Sequence, residues 1–163
     1  MSLRHTLLLL FLASLCACGF ELRGSNLEPL KQSSVYINSS SAGNLAREIR
    51  NQLVFAEVPI AGTAKEADYI LDVSNEKIER KVLSVSGETG KVEEYEILYQ
   101  AFFSVRGPEG KTLIKSESIM AQRDYVFVDD AVLGKSDEEN KLREEMRRQS
   151  AASVLRRLRA VIQ

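Results

Sequence analysis

The chain has 163 residues, with 22 Lys and Arg against 23 Asp and Glu and a formal net charge of −1. Apolar residues make up 44% and charged residues 28%, which is typical of a folded domain and not of a disordered chain. The near-neutral charge argues against a nucleic-acid binder, because such domains carry a strong basic excess. The length predicts one domain with one hydrophobic core.

The start of the chain predicts a secretory signal. A short basic start is followed by an apolar run over residues 7–15 and then by small residues. The run is well short of the ~20 residues that a membrane-spanning helix needs. A buried N-terminal helix is the alternative, and it is disfavoured because the run has no polar face.

The signal ends in Leu15-Cys16-Ala17-Cys18, which resembles the lipobox of bacterial lipoproteins. Leu15 is too bulky for the −3 position of an ordinary signal site cut before Cys18. A cut after Cys16, with Ser14 at −3, is the rival. The resemblance implies that residues 1–17 are removed and that Cys18 carries S-diacylglycerol and an N-acyl (palmitoyl) chain.

Lipidation at Cys18 predicts how the chain is localised. Three acyl chains exceed the two anchoring signals that stable membrane attachment requires, so the chain would be tethered without crossing the membrane. Among bacterial lipoproteins, Asp directly after the lipidated cysteine retains the protein at the inner membrane. Gly19 stands there in this chain, which implies transfer to the outer membrane.

Removal of the signal limits the chemistry of the mature chain. His5, the single histidine, and Cys16 leave with the signal, and Cys18 is consumed by lipid. Histidine-dependent catalysis, thiol chemistry and ordinary zinc sites are then excluded. Paired acids such as Asp129-Asp130 are typical of solvated faces and helix starts. We therefore expect no enzyme, no metal and no cofactor.

The first elements predicted in the mature chain are a strand and a helix. Residues 35–37 form a short apolar strand after a lead-in without a clear period. Residues 42–56 predict an amphipathic helix, because apolar residues recur on one face and charged ones on the other. That apolar face is Leu45, Ala46, Ile49, Leu53 and Ala56.

Three long strands follow. The strand over 67–85 changes the phase of its apolar residues, which predicts a bulge near Asn75. The strand over 92–106 alternates most regularly, although Leu98 and Phe102 interrupt its polar face. A turn at 107–111 leads to a last strand over 113–127. Short turns between long strands predict an antiparallel meander.

A connector over 128–135 precedes a predicted helix over 136–163. Ser136 and Glu139 match a capping box, and acidic residues at the start and arginines near the end suit the helix dipole. Leu142 and Met146 lie off the apolar stripe of the second half, so we expect a more exposed first half. The predicted fold is α+β, a two-layer sandwich whose four-stranded, mostly antiparallel sheet is covered on one face by two helices.

Four short motifs together resemble one family. The segments 18–24 (CGFELRG), 45–53 (LAREIRNQL), 94–96 (EYE) and 133–135 (LGK) are similar, in order and spacing, to the LPS-assembly lipoprotein family LptE (RlpB). The resemblance covers the whole mature chain, so residues 18–163 would form a single LptE-like domain.

The resemblance implies partners and a ligand. Family members are non-enzymatic plugs inside the lumen of the outer-membrane β-barrel LptD, on the periplasmic side. They help this barrel to assemble, and the pair inserts lipopolysaccharide (LPS) at the cell surface. A polar open sheet face fits this expectation, because a wide barrel has a polar lumen.

The resemblance also implies basic residues that bind LPS phosphates. The resemblance puts them in two places: the first is the turn after the long strand, and the second is the segment before the last helix. Lys135 matches the second place, whereas Glu88 stands where the first would align and Lys91 is the nearest basic residue. Exposure for solubility alone is the alternative for both lysines.

Two other functions remain open from the sequence. The chain could be a structural lipoprotein of another envelope complex, such as the machinery that folds barrels, since a fold alone does not decide its partner. It could also be a carboxylate-dependent envelope hydrolase. That hypothesis predicts two acids ~5–10 Å apart in a cleft.

Overall fold

In the computed structural model of this chain, residues 25–127 and 132–162 are described, with side chains for 27–127 and 137–162. The signal, the lipobox and Cys18 lie outside these residues. The elements are a 3₁₀ helix (Ser25–Gln32), β1 (Val35–Ser39), α1 (Gly43–Phe55), β2 (Tyr69–Val85), β3 (Val92–Arg106), a turn (Pro108–Gly110), β4 (Thr112–Val126) and α2 (Val132–Val161). The sequence did not predict the 3₁₀ helix, whereas the strands and α1 match the predictions to within a few residues.

The four strands form one sheet in the order β1-β2-β3-β4. β1 pairs with β2 in parallel, through a crossover that contains α1, and the other two pairs are antiparallel. Both helices pack on one face, where alternate β3 residues such as Ile97 and Phe103 are buried. The predicted two-layer α+β sandwich is therefore confirmed. Among the described residues, no helix packs on the second face of the sheet, which we call the open face.

The bulge predicted in β2 is present and is held by the loop before α1. Asn75 has a φ of 53°, and the register shifts between Ser74 and Lys77. Asparagine tolerates this left-handed conformation better than most residues. The Asn75 N–H donates to the hydroxyl oxygen of Ser41 at 2.8 Å, and the N–H of Glu76 donates to the Ser41 carbonyl at 3.2 Å.

The bulge places Glu76 between the sheet and both helices. Its Oε2 accepts a hydrogen bond from the Leu45 N–H, 3.1 Å away in the first turn of α1. Its Oε1 accepts from Arg147 of α2 at 2.8 Å and from the Tyr99 hydroxyl at 3.3 Å. Ala42 at the N-cap offers no side-chain acceptor, so Glu76 satisfies a helix N–H that would otherwise lack one.

The start of α2 differs from the prediction. The helix begins at Val132, four residues before the expected start, so Ser136 lies within it and the predicted capping box is wrong. Glu139 does not reach back to a cap, because its carboxylate bonds instead to Arg80, Tyr125 and Arg143.

The expectation that Leu142 and Met146 are off the buried face is also wrong. Met146 is fully buried, and Leu142 is half-buried against the core. A long straight helix that crosses a twisted sheet presents a different side to it at each end, so one apolar stripe does not describe its whole length. The opposite side of this half, which includes Glu138, Lys141 and Glu144, is exposed as expected.

Replacing Glu76 should destabilise the fold strongly. Glu76→Ala removes an acceptor that is only 8% exposed and leaves Arg147 without its partner, so we expect a loss of roughly 3 kcal/mol in the free energy of unfolding. Glu79→Ala is the control, because Glu79 is 41% exposed and pairs with Lys77 at the surface. Its loss should stay below about 1 kcal/mol. Urea unfolding measures both, and equal losses would contradict the assigned role of Glu76.

Candidate functional site

Charged, aromatic and exposed apolar side chains gather at one end of the sheet. This region, the hairpin end, comprises the β2–β3 turn (86–91) with the flanking strand residues, the end of β4 (125–127) and the first half of α2 (132–146). The Phe127 N–H donates to the Glu93 carbonyl at 2.6 Å and holds the end of β4 against the start of β3.

α2 runs antiparallel to β4, which places its start at the hairpin end. Near this start, Glu139 accepts a hydrogen bond from the Tyr125 hydroxyl at 2.7 Å. Near the other end of the helix, Arg157 pairs with Glu117 of β4 at 2.8 Å. The helical rise puts residues 139 and 157 about 27 Å apart, so this part of the helix runs along β4 from Tyr125 to Glu117.

A cluster around Glu139 joins the three elements of the hairpin end. Its carboxylate accepts hydrogen bonds from Tyr125, from Arg80 at 3.1 Å and from Arg143. The Tyr95 ring stacks on Tyr125, with centroids 5.7 Å apart, and the Arg80 guanidinium lies 4.5 Å from the centroid of the Tyr95 ring. This geometry fixes the first half of α2 against β2 and β4.

The surroundings of Glu139 keep it ionised. Partial burial acts to raise its pKa, but the hydrogen bonds from Tyr125, Arg143 and Arg80 outweigh burial, and the pKa lies below its ordinary value. A lowered pKa in the folded state means that the cluster stabilises the fold above the ordinary glutamate pKa of about 4.3. This stabilisation is lost as the pH falls through the lower folded value.

Four aliphatic side chains at the hairpin end are largely exposed. Large apolar side chains on a folded surface often mark an interaction site when they cluster. Their exposed fractions are 54% for Val82, 49% for Leu83, 56% for Val85 and 60% for Val126.

The structure brings the positions of the two predicted LPS-binding lysines to this same end. Lys91 is exposed and closes the β2–β3 turn, where its carbonyl accepts a hydrogen bond from the Ser86 N–H at 2.7 Å. Lys135 lies in the backbone of α2, one turn before Glu139, and its side chain is outside the described part of the structure.

Two concave surfaces lie elsewhere. A groove of about 800 Å³ separates α1 from α2. Its lining is Leu27, Glu48, Asn51, Gln52, Phe55, Ala56, Glu145, Arg148, Gln149, Ala152, Leu155 and Arg156. A smaller depression of about 380 Å³ on the open sheet face contains Leu98, which the sequence predicted to interrupt that polar face, together with the exposed Met120.

Among the described residues, no helix is long and apolar enough to cross a membrane. Within the same ranges, no three His, Cys, Asp or Glu side chains are grouped so that they could hold a metal ion.

Sequence reasoning missed the Glu139 cluster and the role of Glu76. The sequence pattern assigns Glu139 to a helix cap and does not single out Arg143 or Arg147. The one available signal is their spacing, because residues 139, 143 and 147 lie on one face of a helix at i, i+4 and i+8. That spacing does not show which strand the face meets.

Replacing Glu139 should weaken the fold in a pH-dependent way. Glu139→Gln removes the charge that holds Arg80 and Arg143, so the urea midpoint at pH 7 should be lower than that of the unmodified protein. On acidification, the midpoint of the variant should decrease by less than that of the unmodified protein. The two curves should converge below about pH 4, where the carboxylate is protonated. The control is the exposed neighbour Glu138→Gln, and parallel pH curves for the Glu139 variant and the unmodified protein would contradict the assignment.

Comparison with known proteins identifies the family. A family model described as LptE, lipopolysaccharide-assembly, matches residues 32–158. The LPS-assembly lipoprotein LptE of Pectobacterium atrosepticum is 32% identical, with 96% of this chain and 86% of that protein covered. The LPS-assembly lipoprotein LptE of Photorhabdus laumondii is 30% identical, with 98% and 88% covered.

Solved structures agree with this assignment. The crystal structure of the rare lipoprotein B from Shewanella oneidensis is 30% identical, with a TM-score of 0.68, and the match covers 78% of this chain and 94% of that one. A solution structure of a lipoprotein B from Nitrosomonas europaea has a TM-score of 0.73 over 87% of this chain and 91% of that one. Its 24% identity supports the fold alone. The chain therefore belongs to the LptE family of lipopolysaccharide-assembly lipoproteins.

Proposed function

We propose that this chain is a non-enzymatic outer-membrane lipoprotein that plugs and helps to assemble the LptD β-barrel and binds LPS with its hairpin end. The observation that carries the proposal is the convergence at this end of Lys91, the first turns of α2 that contain Lys135, and four exposed aliphatic side chains. LPS is an amphiphile with phosphates and acyl chains, so a surface of mixed basic and apolar character suits it.

A lipid anchor on Cys18 would fix how the domain is oriented. Residues 19–24 can span at most about 20 Å between the anchor and the 3₁₀ helix. That helix lies at the end of the domain remote from the hairpin end, because Lys31 pairs with Glu57 just after α1 at 3.3 Å. The 3₁₀ helix also leads into β1, whose first residue pairs with Tyr69 at the start of β2, and β2 runs from there to the hairpin end.

The open face of the sheet suits the polar lumen of a barrel. It presents short polar or charged side chains in register across three strands, with only a few apolar ones between them. Examples are Ser74, Lys77, Gln100, Ser104, Ser118 and Gln122. A wide outer-membrane barrel has a polar interior, so this face can lie against the wall without burying unpaired charge.

A pull-down tests the partner. The C-terminally tagged full-length chain, extracted from its own outer membrane in mild detergent, should retain a large β-barrel at one-to-one stoichiometry, identified by mass spectrometry. We expect an interface above about 1,500 Å² in total, which is enough to survive extraction. Recovery with a different assembly complex, or with soluble envelope enzymes, would overturn the barrel assignment.

A second experiment tests the LPS contact. Lys135→Ala should weaken LPS binding by about tenfold, the loss expected for one charge-assisted hydrogen bond to a phosphate, with the thermal unfolding midpoint unchanged. Lys91→Ala should have a smaller effect, because Glu88 lies close by in the same turn. The control is Lys111→Ala, an exposed lysine in the β3–β4 turn at the opposite end of the sheet. Unchanged binding by the Lys135 variant would remove Lys135 as a contact.

A further inference from the structure

We propose that the tip of the β2–β3 hairpin binds the acyl chains of LPS, whereas the lysine positions beside the tip serve the phosphates. The hairpin tip is defined here as Val82, Leu83, Val85 and the adjacent Val126. The inference rests on the proposed function, since it names the part of the ligand that this end of the domain receives.

The aliphatic side chains of the tip are exposed to solvent, and each of the four is about half exposed or more. The other large exposed apolar side chains among the described residues lie elsewhere, with Val54 and Phe55 at the end of α1 and Met120 on the open sheet face. An aliphatic cluster exposed to water gains free energy when it is covered, roughly in proportion to the area removed from water.

The exposed aliphatic side chains of the tip lie on both faces of the sheet. Val82 lies opposite Tyr95, on the face that the helices cover, whereas Val126 lies opposite Glu94 on the open face. Val85 pairs with Val92 in the last row before the turn. The end of the sheet therefore presents aliphatic side chains on both faces, an arrangement suited to insertion among hydrocarbon chains more than to lying on a flat surface.

The charges near the tip favour acyl chains over phosphates. The turn and the start of β3 carry Glu88 and Glu93 beside Lys91, so the tip has no excess of positive charge with which to attract an anion. Lys81 is the one cation adjacent to the aliphatic group in sequence. A hydrocarbon ligand is indifferent to this balance, whereas a phosphate would meet carboxylates.

The proposed ligand of the tip is LPS, and not the bilayer that would hold the anchor. The 3₁₀ helix leads into β1, whose first residue pairs with Tyr69 at the start of β2. Val82 lies 13 residues further along β2, roughly 40 Å away at the rise of a β-strand, which is beyond the reach of a tether of about 20 Å at the other end. LPS carries several acyl chains and is the ligand of the proposed function. Its chains can reach the tip without the domain being submerged in the leaflet.

Site-specific photo-crosslinking tests the proposal on the full-length protein in cells. A benzophenone amino acid replaces Leu83, Val85 or, as the matched control at the opposite end of the domain, Phe55, which is 85% exposed. A fourth variant carries the probe at Lys91. After irradiation, mass spectrometry of the purified adducts locates the new bond in a fatty acyl chain, in the saccharide or in a protein.

The proposal expects LPS adducts bonded through acyl carbons at positions 83 and 85, and none at position 55. Saccharide bonds at 83 and 85 would overturn the acyl assignment and leave LPS binding intact. Adducts with the barrel or with phospholipid at these positions would also overturn it. An absence of LPS adducts at every position, including 91, would overturn both the inference and the proposed function.

Binding to a modified ligand gives an independent measurement. The variant Leu83→Ser/Val85→Ser should bind intact LPS about tenfold more weakly and bind fully deacylated LPS as the unmodified protein does. The control Val54→Ser/Phe55→Ser changes side chains that are even more exposed and should alter neither affinity. Both pairs are largely exposed, so the fold should tolerate the changes. An equal loss for intact and deacylated LPS would contradict acyl binding.

Discussion

The buried carboxylate of Glu76 is the interaction on which the two-layer arrangement depends. Its oxygens reach the first turn of α1, the Arg147 side chain of α2 and the hydroxyl of Tyr99 in β3. Burial raises the pKa of Tyr99, as does the adjacent Glu76 charge, so the hydroxyl remains a donor. One residue, aimed inward by the bulge at Asn75, thus sets the position of both helices on the sheet.

Fixing α2 at its centre determines what each end can do. The helix is long enough to run from the 3₁₀ helix to the β2–β3 hairpin, and the Glu139 cluster secures its first half there through Arg80 and Tyr125. The hydrophobic core beneath the centre is continuous, whereas the hairpin extends beyond it. Apolar residues of the hairpin therefore remain exposed for a reason of topology, since no described element covers them.

The two ends of the domain have separate roles in the proposed function. In this proposal, a lipid anchor on Cys18 would hold the N-terminal end through residues 19–24, and the hairpin end would present lysine positions and aliphatic side chains to an amphiphilic ligand. Between them the open sheet face is polar, which suits the inside of a barrel. Family membership establishes a role in LPS assembly, and the two ends are the proposed means by which the domain serves it.

Local sequence determined most of the fold. The strands, the first helix and the bulge could be predicted, because each depends on residues only a few positions apart in the sequence. The signals are the alternation in β3, the helical period of α1 and the phase change at Asn75. The lipobox and the short motifs likewise indicated the family. The start of α2, the burial of Met146 and the partners of Glu76 and Glu139 could not be predicted, because they depend on which strand a helix face meets across a twisted sheet. Only the tertiary structure decides that, since these contacts join residues tens of positions apart.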